Sequence, residues 1–167
     1  MGGSIVLIGF MGAGKSTVGR LLAERLGFSF VDTDRLVQDR AGRTIAEIWR
    51  TDGEDAFRDR EHDVIAEVAV KEGHVIATGG GAPCSARNAD LLRHAGAVVH
   101  LDASIEIVRA RTGRGRHRPL VAERTDAELE ALLDERRSVY ASIADITIDV
   151  TEGPPERVVD RILEALA

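Results

Sequence analysis

The residues with the clearest chemical signature lie near the N-terminus, in a short loop that carries glycines, a lysine and two hydroxyls. Gly9, Gly14, Lys15 and Ser16 fit the pattern G-x-x-x-x-G-K-[ST] without a gap. Glycines let backbone N–H groups turn inward around phosphate oxygens, and the following helix adds its own unpaired N–H groups. The alternative is a glycine-rich turn with a chance match. The flanking pattern favours a nucleoside triphosphate site formed by Gly12, Ala13, Gly14, Lys15, Ser16 and Thr17.

Two carboxylates follow the next apolar run. Asp32 and Asp34 stand two residues apart at the end of a short predicted strand, where open α/β sheets bind their ligands. We predict that Asp32 joins Ser16 in holding Mg²⁺, and that Asp34 orients or deprotonates an acceptor hydroxyl. Lys15 supplies positive charge at the transferred phosphate. The alternative for Asp34 is a purely structural one, as the cap of a helix beginning at Arg35.

Further candidates occur where a third strand ends and on a neighbouring helix. Gly79, Gly80 and Gly81 are more glycines than a tight turn needs, which indicates close approach of the backbone to a ligand. Arg58 has helical spacing from Glu61, so an ordinary surface ion pair is the alternative to a role in binding. Five arginines lie between residues 109 and 118. They suggest either RNA binding or a mobile lid that neutralises phosphate charge, and we favour a lid at about 113–124.

The hydrophobic pattern predicts the elements that position these residues. Apolar runs indicate five strands, and each is followed by a segment with helical periodicity. Thr44 and Thr125 each stand three residues before a glutamate, as in a capping box, and Pro155 suits the first turn of a last helix. Strands that alternate with helices are typical of a three-layer α/β/α fold with a parallel sheet. We expect one domain over residues 1–167.

Composition limits the possible partners. The chain has 167 residues, a net charge of −6 and a sequence pI near 5.4, which argues against a nucleic-acid binder with a global positive field. No signal peptide or membrane span is expected. The one cysteine, Cys84, fits a reducing cytoplasm, and we expect it to be a buried apolar residue. The sequence thus favours a cytoplasmic protein with a small-molecule partner.

Taken together, the motifs resemble those of shikimate kinases. They are GFMGAGKST from Gly9, DTD at 32–34, FRDRE at 57–61, GGG at 79–81, RPL at 118–120 and RRSVY at 136–140. The match covers nearly the whole chain in the right order. The resemblance implies a P-loop kinase with a five-stranded parallel sheet in the order 2-3-1-4-5. It also implies transfer of the ATP γ-phosphate to the 3-hydroxyl of shikimate, on the pathway to chorismate and aromatic amino acids.

The resemblance also assigns residues. Shikimate contacts fall on Asp34, Arg58, Arg136 and the three glycines, while Arg118 falls on the lid arginine that acts at the phosphates. Arg111 and Pro155 fall near the adenine. Arg136 is preferred over Arg137 only because it lies four residues before Tyr140. Trp49 is expected to be either an aromatic wall of the substrate pocket or a core residue.

Two rival functions remain open at this point. One is another small-molecule P-loop kinase, such as a gluconate or nucleoside kinase, for which this set of motifs would not be expected. The other is a non-catalytic P-loop regulator, which would have no need of Arg58, Gly80 and Arg136. The main interpretation is a kinase that uses ATP and Mg²⁺, acts on shikimate and is expected to be a monomer.

Overall fold

The computed structural model describes residues 3–112 and 124–167. Five strands in this part of the chain form one sheet: β1 (Ser4–Ile8), β2 (Ser29–Asp32), β3 (His74–Ala77), β4 (Gly96–Asp102) and β5 (Ile146–Asp149). Their order is β2-β3-β1-β4-β5, and each neighbouring pair is parallel. The predicted fold class and strand order are therefore confirmed.

Helices connect these strands. In chain order they are α1 (Lys15–Leu26), α2 (Thr33–Ala41), α3 (Ile45–Asp52), α4 (Glu54–Ala69), α5 (Ala86–Ala95), α6 (Ile105–Thr112), α7 (Asp126–Ile143) and α8 (Pro155–Leu166). A short 3₁₀ turn at Ala82–Cys84, which the sequence did not reveal, precedes α5. Cys84 is exposed there, so the expectation of a buried cysteine was wrong.

The core lies on both faces of the sheet. All five residues of β1 are buried, as expected for a central parallel strand covered by helices on both sides. A second, smaller cluster of apolar side chains lies apart from this core and joins α2, α3 and α4. Its buried members are Val37, Ile48, Phe57 and Val64. This cluster packs α4, the helix that carries Arg58, against α2 and α3.

Capping groups define the helix starts next to the functional residues. Thr44 and Thr125 each form the predicted capping box, with Glu47 and Glu128 respectively. The cap of α2 is Asp32, whose carboxylate accepts from the Arg35 N–H at 3.1 Å. Asp34 lies inside the first turn of that helix, so the proposal that it only caps a helix was wrong. Its carboxylate lies against Gly79, just beyond the end of β3.

The carboxyl ends of β1, β2 and β3 lie side by side and lead into the phosphate loop (residues 9–16), the start of α2 and the triple glycine segment (Gly79–Gly81). Parallel strands bring these three connections to one edge of the sheet. None of the helices within residues 3–112 and 124–167 is long and apolar enough to cross a membrane.

Candidate active site

The phosphate loop has the conformation that an anion site requires. Gly12 and Gly14 have φ values of 79° and 88°, a region that L side chains rarely adopt. Gly14 precedes the first turn of α1, and among the described residues no side chain caps that turn. The Lys15 ammonium donates to the carbonyls of Gly9 and Phe10, at 2.7 and 2.9 Å. The loop therefore presents backbone donors and a cation at the same point.

Ser16 and Asp32 meet beside this loop. The Ser16 hydroxyl donates to Asp32 Oδ2 at 2.6 Å. Both are hard oxygen ligands of the kind that Mg²⁺ prefers. Within the described part of the chain, no group of three or more histidine, cysteine or acidic side chains could hold a metal. The pair thus fits Mg²⁺, and Ser16 and Asp32 are the residues that would hold the ion.

Asp34 and Gly79 lie against each other across the site. A Cβ built on Gly79 would lie 2.5 Å from Asp34 Oδ1, so only glycine leaves space for this carboxylate. The Gly79 N–H donates to the Thr33 hydroxyl at 3.3 Å, which ties the start of α2 to the triple glycine segment. Since this amide already has a partner, the other two glycines are the better candidates for ligand contacts from the segment.

Arg58 lies opposite the third glycine. A Cβ on Gly81 would lie 2.6 Å from Arg58 Nη2. The guanidinium donates to Glu61 Oε1 at 2.8 Å, as the helical spacing predicted. Glu61 is only 1% exposed, however, so this is not the surface pair that was the alternative. Burial raises the pKa of the Glu61 carboxyl above its usual value, and Arg58 acts in the opposite direction.

The structure separates the two neighbouring arginines of α7. Arg136 is 8% exposed and lines the cleft, with its guanidinium 5.5 Å from the centre of the Phe10 ring. A Cβ on Gly80 would lie 3.3 Å from its Nη1. Arg137 instead pairs with Asp102 at 2.8 Å and donates to the Ala103 carbonyl. Of the two, Arg136 is therefore placed to meet a ligand in the cleft.

One cleft of about 800 Å³ joins all these groups. Its lining combines the phosphate loop, Asp32 and Asp34, the triple glycine segment, Arg58 and Arg136. Trp49 also lines it, while its ring packs 6.0 Å from the Phe57 ring at the edge of the smaller apolar cluster. Trp49 therefore lines the cleft as an aromatic wall and also packs against the apolar cluster, as a core residue would. The cleft therefore places the phosphate loop beside a second polar site. That second site contains a carboxylate, Asp34, and two guanidinium groups, Arg58 and Arg136.

A smaller cavity of about 200 Å³ adjoins the other side of the phosphate loop. Arg111 and Pro155, the two residues expected near the adenine, both line it. Arg111 also donates to the Gly12 carbonyl at 3.3 Å. Val18, Val150 and Val158 contribute apolar lining to this cavity, which suits an aromatic ring.

The cleft thus combines the phosphate loop with a second polar site. Comparison with known proteins identifies the family. The family model for shikimate kinase matches residues 11–167. The chain belongs to the shikimate kinase family. It is therefore an enzyme, a phosphotransferase with ATP as donor, and this membership favours the main interpretation over the two rival functions.

Individual relatives agree with the family match. The chain is 47% identical to a shikimate kinase of Pseudomonas syringae pv. syringae over 98% of this chain and 96% of that protein. It is 48% identical to one of Symbiobacterium thermophilum over 98% and 95%. A solved shikimate kinase from Acinetobacter baumannii, in complex with shikimate, superposes with a TM-score of 0.95 at 39% identity, covering 98% of this chain and 92% of that one.

One expected site residue falls outside the part of the chain that the structure describes, and two residues at the site were not predicted from the sequence. Arg118 and the predicted lid at about 113–124, apart from Arg124, lie outside the described residues. Glu61 and Tyr140 were not predicted as site residues. The F-R-x-x-E spacing pointed to Glu61, but its burial was not readable from spacing. Tyr140 served only to align Arg136, and its contact with the site joins residues sixty positions apart.

Proposed function

We propose that this protein transfers the γ-phosphate of ATP to the 3-hydroxyl of shikimate, which yields shikimate 3-phosphate for chorismate and aromatic amino acid biosynthesis. The observation that carries the proposal is that each of the three glycines lies against a different charged side chain. Gly79 faces Asp34, Gly80 faces Arg136 and Gly81 faces Arg58. This arrangement lies in the same cleft as Lys15. A nucleotide-binding regulator has no need of such a second polar site.

The acceptor side suits a small acid that also carries hydroxyls. Shikimate has one carboxylate and three ring hydroxyls. Guanidinium groups bind carboxylates through two parallel hydrogen bonds, so we assign the substrate carboxylate to Arg58 and Arg136. We assign the hydroxyls to Asp34 and to the backbone of the triple glycine segment, chiefly Gly80 and Gly81, since the Gly79 N–H already donates to Thr33. In this pose Asp34 receives or orients the proton of the attacking 3-hydroxyl.

The donor side uses the phosphate loop. The N–H groups of residues 12–17 surround the phosphates, and Lys15 exchanges its contacts with loop carbonyls for the β- and γ-phosphates. Arg111 and Pro155 contact the adenine, and Arg118 contributes charge at the phosphates. Ser16 and Asp32 would hold Mg²⁺, which when bound would supply positive charge at the phosphates. Because the transition state is loose, catalysis rests on positioning and charge neutralisation.

Three further features belong to this proposal. The chain works as one P-loop kinase domain over residues 1–167, it is a monomer, and it acts in the cytoplasm. The single cysteine supports a reducing compartment. The cleft supports the monomer, since the residues assigned to both substrates come from one chain.

A coupled assay of ADP release tests the function. Purified protein receives ATP and Mg²⁺ with shikimate, gluconate, a nucleoside or no acceptor. We expect ADP release only with shikimate, together with a product that mass spectrometry identifies as shikimate 3-phosphate. Turnover with gluconate or a nucleoside instead would show another small-molecule kinase. ATP binding without turnover on any acceptor would show a regulator.

A further inference from the structure

Tyr140 makes a buried hydrogen bond to the triple glycine segment. Its hydroxyl donates to the Gly80 carbonyl at 2.6 Å, and the side chain is fully buried. Burial raises the pKa of this hydroxyl, while the nearby Arg136 acts against the shift, so the group remains a neutral donor. Tyr140 does not line the cleft itself. It therefore acts on a ligand through the groups that it contacts, the Gly80 carbonyl and the Arg136 guanidinium.

The held carbonyl belongs to a peptide that lacks a Cβ on either side. The Gly80 C=O and the Gly81 N–H share one planar unit, and in a trans peptide they point in opposite directions. Fixing the carbonyl towards Tyr140 thus fixes the Gly81 N–H away from it. Without this bond a glycine–glycine peptide has unusual freedom to rotate. The tyrosine hydroxyl removes that freedom.

The same helix turn carries the arginine assigned to the substrate carboxylate. Arg136 and Tyr140 are four residues apart on α7 and so share a face. The Tyr140 ring is in turn packed 5.0 Å from the ring of His100, a buried residue of β4. Burial lowers the pKa of His100 and keeps it neutral beside this ring. The arginine and the glycine peptide are therefore held to one rigid support.

We propose that Tyr140 is a positioning residue for shikimate: it sets the orientation of the Gly80–Gly81 peptide relative to Arg136. This inference rests on the proposed function, since it concerns the acceptor side of the same cleft. It assigns no direct role at the nucleotide, because Tyr140 lines neither the cleft of the phosphate loop nor the cavity of Arg111 and Pro155.

The test replaces Tyr140 by phenylalanine, which keeps the ring and removes the hydroxyl. The loss of one buried hydrogen bond predicts that the KM for shikimate rises by about fivefold or more. The KM for ATP should stay within about twofold of wild type, because its site does not contact this hydroxyl. The matched control is Ser4→Ala. The Ser4 hydroxyl is also buried; it donates to the Lys71 carbonyl at 2.7 Å and accepts from the His74 N–H at 3.1 Å. It lies at the start of the central strand β1, at the opposite end of that strand from the phosphate loop.

The outcomes separate the inference from the proposed function. Tyr140→Phe and Ser4→Ala should both lower the thermal midpoint, but only Tyr140→Phe should raise the KM for shikimate. If the two variants changed this KM equally, or if neither changed it, the positioning role of Tyr140 would be overturned. The proposed function would still stand, provided that the wild-type protein turns over shikimate. Wild-type protein without shikimate-dependent turnover would overturn both.

A second measurement covers the case in which Tyr140→Phe does not fold. Tyr140 is the only tyrosine of the chain, so labelling with 3-fluorotyrosine changes this one residue. We expect its ¹⁹F resonance to shift when shikimate is added and to stay in place with the ATP analogue AMP-PNP and Mg²⁺. A resonance that ignores saturating shikimate would contradict the inference.

Discussion

The carboxylate of Asp34 occupies the space that a side chain at position 79 would need, since a Cβ on Gly79 would lie 2.5 Å from Asp34 Oδ1. The two residues lie two positions beyond the ends of neighbouring strands, β2 and β3. Their contact places the Asp34 carboxylate beside the phosphate loop. The Gly79 N–H takes no part in this contact, because it donates to the Thr33 hydroxyl. The glycine thus makes room for the carboxylate and anchors the helix that carries it.

This relationship predicts the effect of Gly79→Ala. The added methyl group meets the end of a flexible side chain, so the protein should fold with a small change in thermal midpoint. Asp34 must shift, however, and a misplaced group of this kind costs up to about a hundredfold in rate. We expect kcat with shikimate to fall by at least about tenfold, a barrier increase of about 1.4 kcal/mol.

The control for this variant is Gly3→Ala. A Cβ on Gly3 would have its nearest neighbours at 3.6 and 3.7 Å, which is ordinary van der Waals contact. The same chemical change there should leave kcat unchanged. If Gly79→Ala were as active as Gly3→Ala, the close contact between Gly79 and Asp34 would have no part in turnover.

The adjacent arginines of α7 allow a paired prediction. Arg136→Lys keeps the charge but loses the two-pronged geometry that suits a carboxylate. We expect shikimate binding to weaken by about 1.5–3 kcal/mol, the range for hydrogen bonds to charged groups, with ATP affinity unchanged. Arg137→Lys, at the residue that pairs with Asp102, should leave shikimate affinity as it is. Titration calorimetry measures both, and a larger loss in Arg137→Lys would reverse the assignment.

Glu61 predicts a dependence of stability on pH. Burial raises the pKa of its carboxyl above the ordinary value of 4.5, so the folded state binds this proton more tightly than the unfolded state. A group shifted in this direction stabilises the fold below its unfolded pKa and loses that contribution as the pH rises through its folded pKa. Glu61→Gln mimics the protonated form at every pH.

The measurement is therefore the difference in free energy of unfolding between wild type and Glu61→Gln as a function of pH. Wild type should gain stability relative to the variant as the pH is lowered from about 8 towards 4.5. All other titrating groups are common to both proteins and cancel to first order. A difference that stays constant, or that moves in the opposite direction, would show that burial does not set the proton affinity of this carboxyl.

Much of the fold was readable from local sequence. Apolar runs gave the five strands, and the pairs Thr44 with Glu47 and Thr125 with Glu128 marked two helix starts that the structure confirms. Strand order was not readable in this way, because it depends on contacts between distant segments. It followed only from the resemblance to shikimate kinases, and the structure confirms it.

The site was less readable, for physical reasons that differ from residue to residue. Asp32 and Asp34 were both found from their place at a strand end, but which of them caps α2 depends on the residue at which the helix begins. Three-residue spacing joined Arg58 to Glu61 without showing that packing buries the glutamate. The bond between Tyr140 and Gly80 joins two distant segments, so no local pattern indicates it.

The central claim is that Asp34 serves the acceptor hydroxyl and is not a structural acid. Asp34→Asn removes the charge and keeps the size of the side chain. Because Asp32 is the residue that caps α2, the thermal midpoint should change little. Asp39→Asn is the matched control, since Asp39 lies on the same helix, is exposed and pairs only with Arg35 among the ion pairs of the described residues.

The decisive measurement is kcat with saturating ATP and shikimate for Asp34→Asn, alongside nucleotide affinity and the thermal midpoint of the same protein. General-base contributions of about 10²–10⁴-fold predict that turnover falls by at least about a hundredfold, while ATP affinity and folding are retained and Asp39→Asn remains fully active. Near-normal turnover of Asp34→Asn in a folded protein that still binds ATP would contradict the role of this carboxylate and, with it, the proposed chemistry at the acceptor.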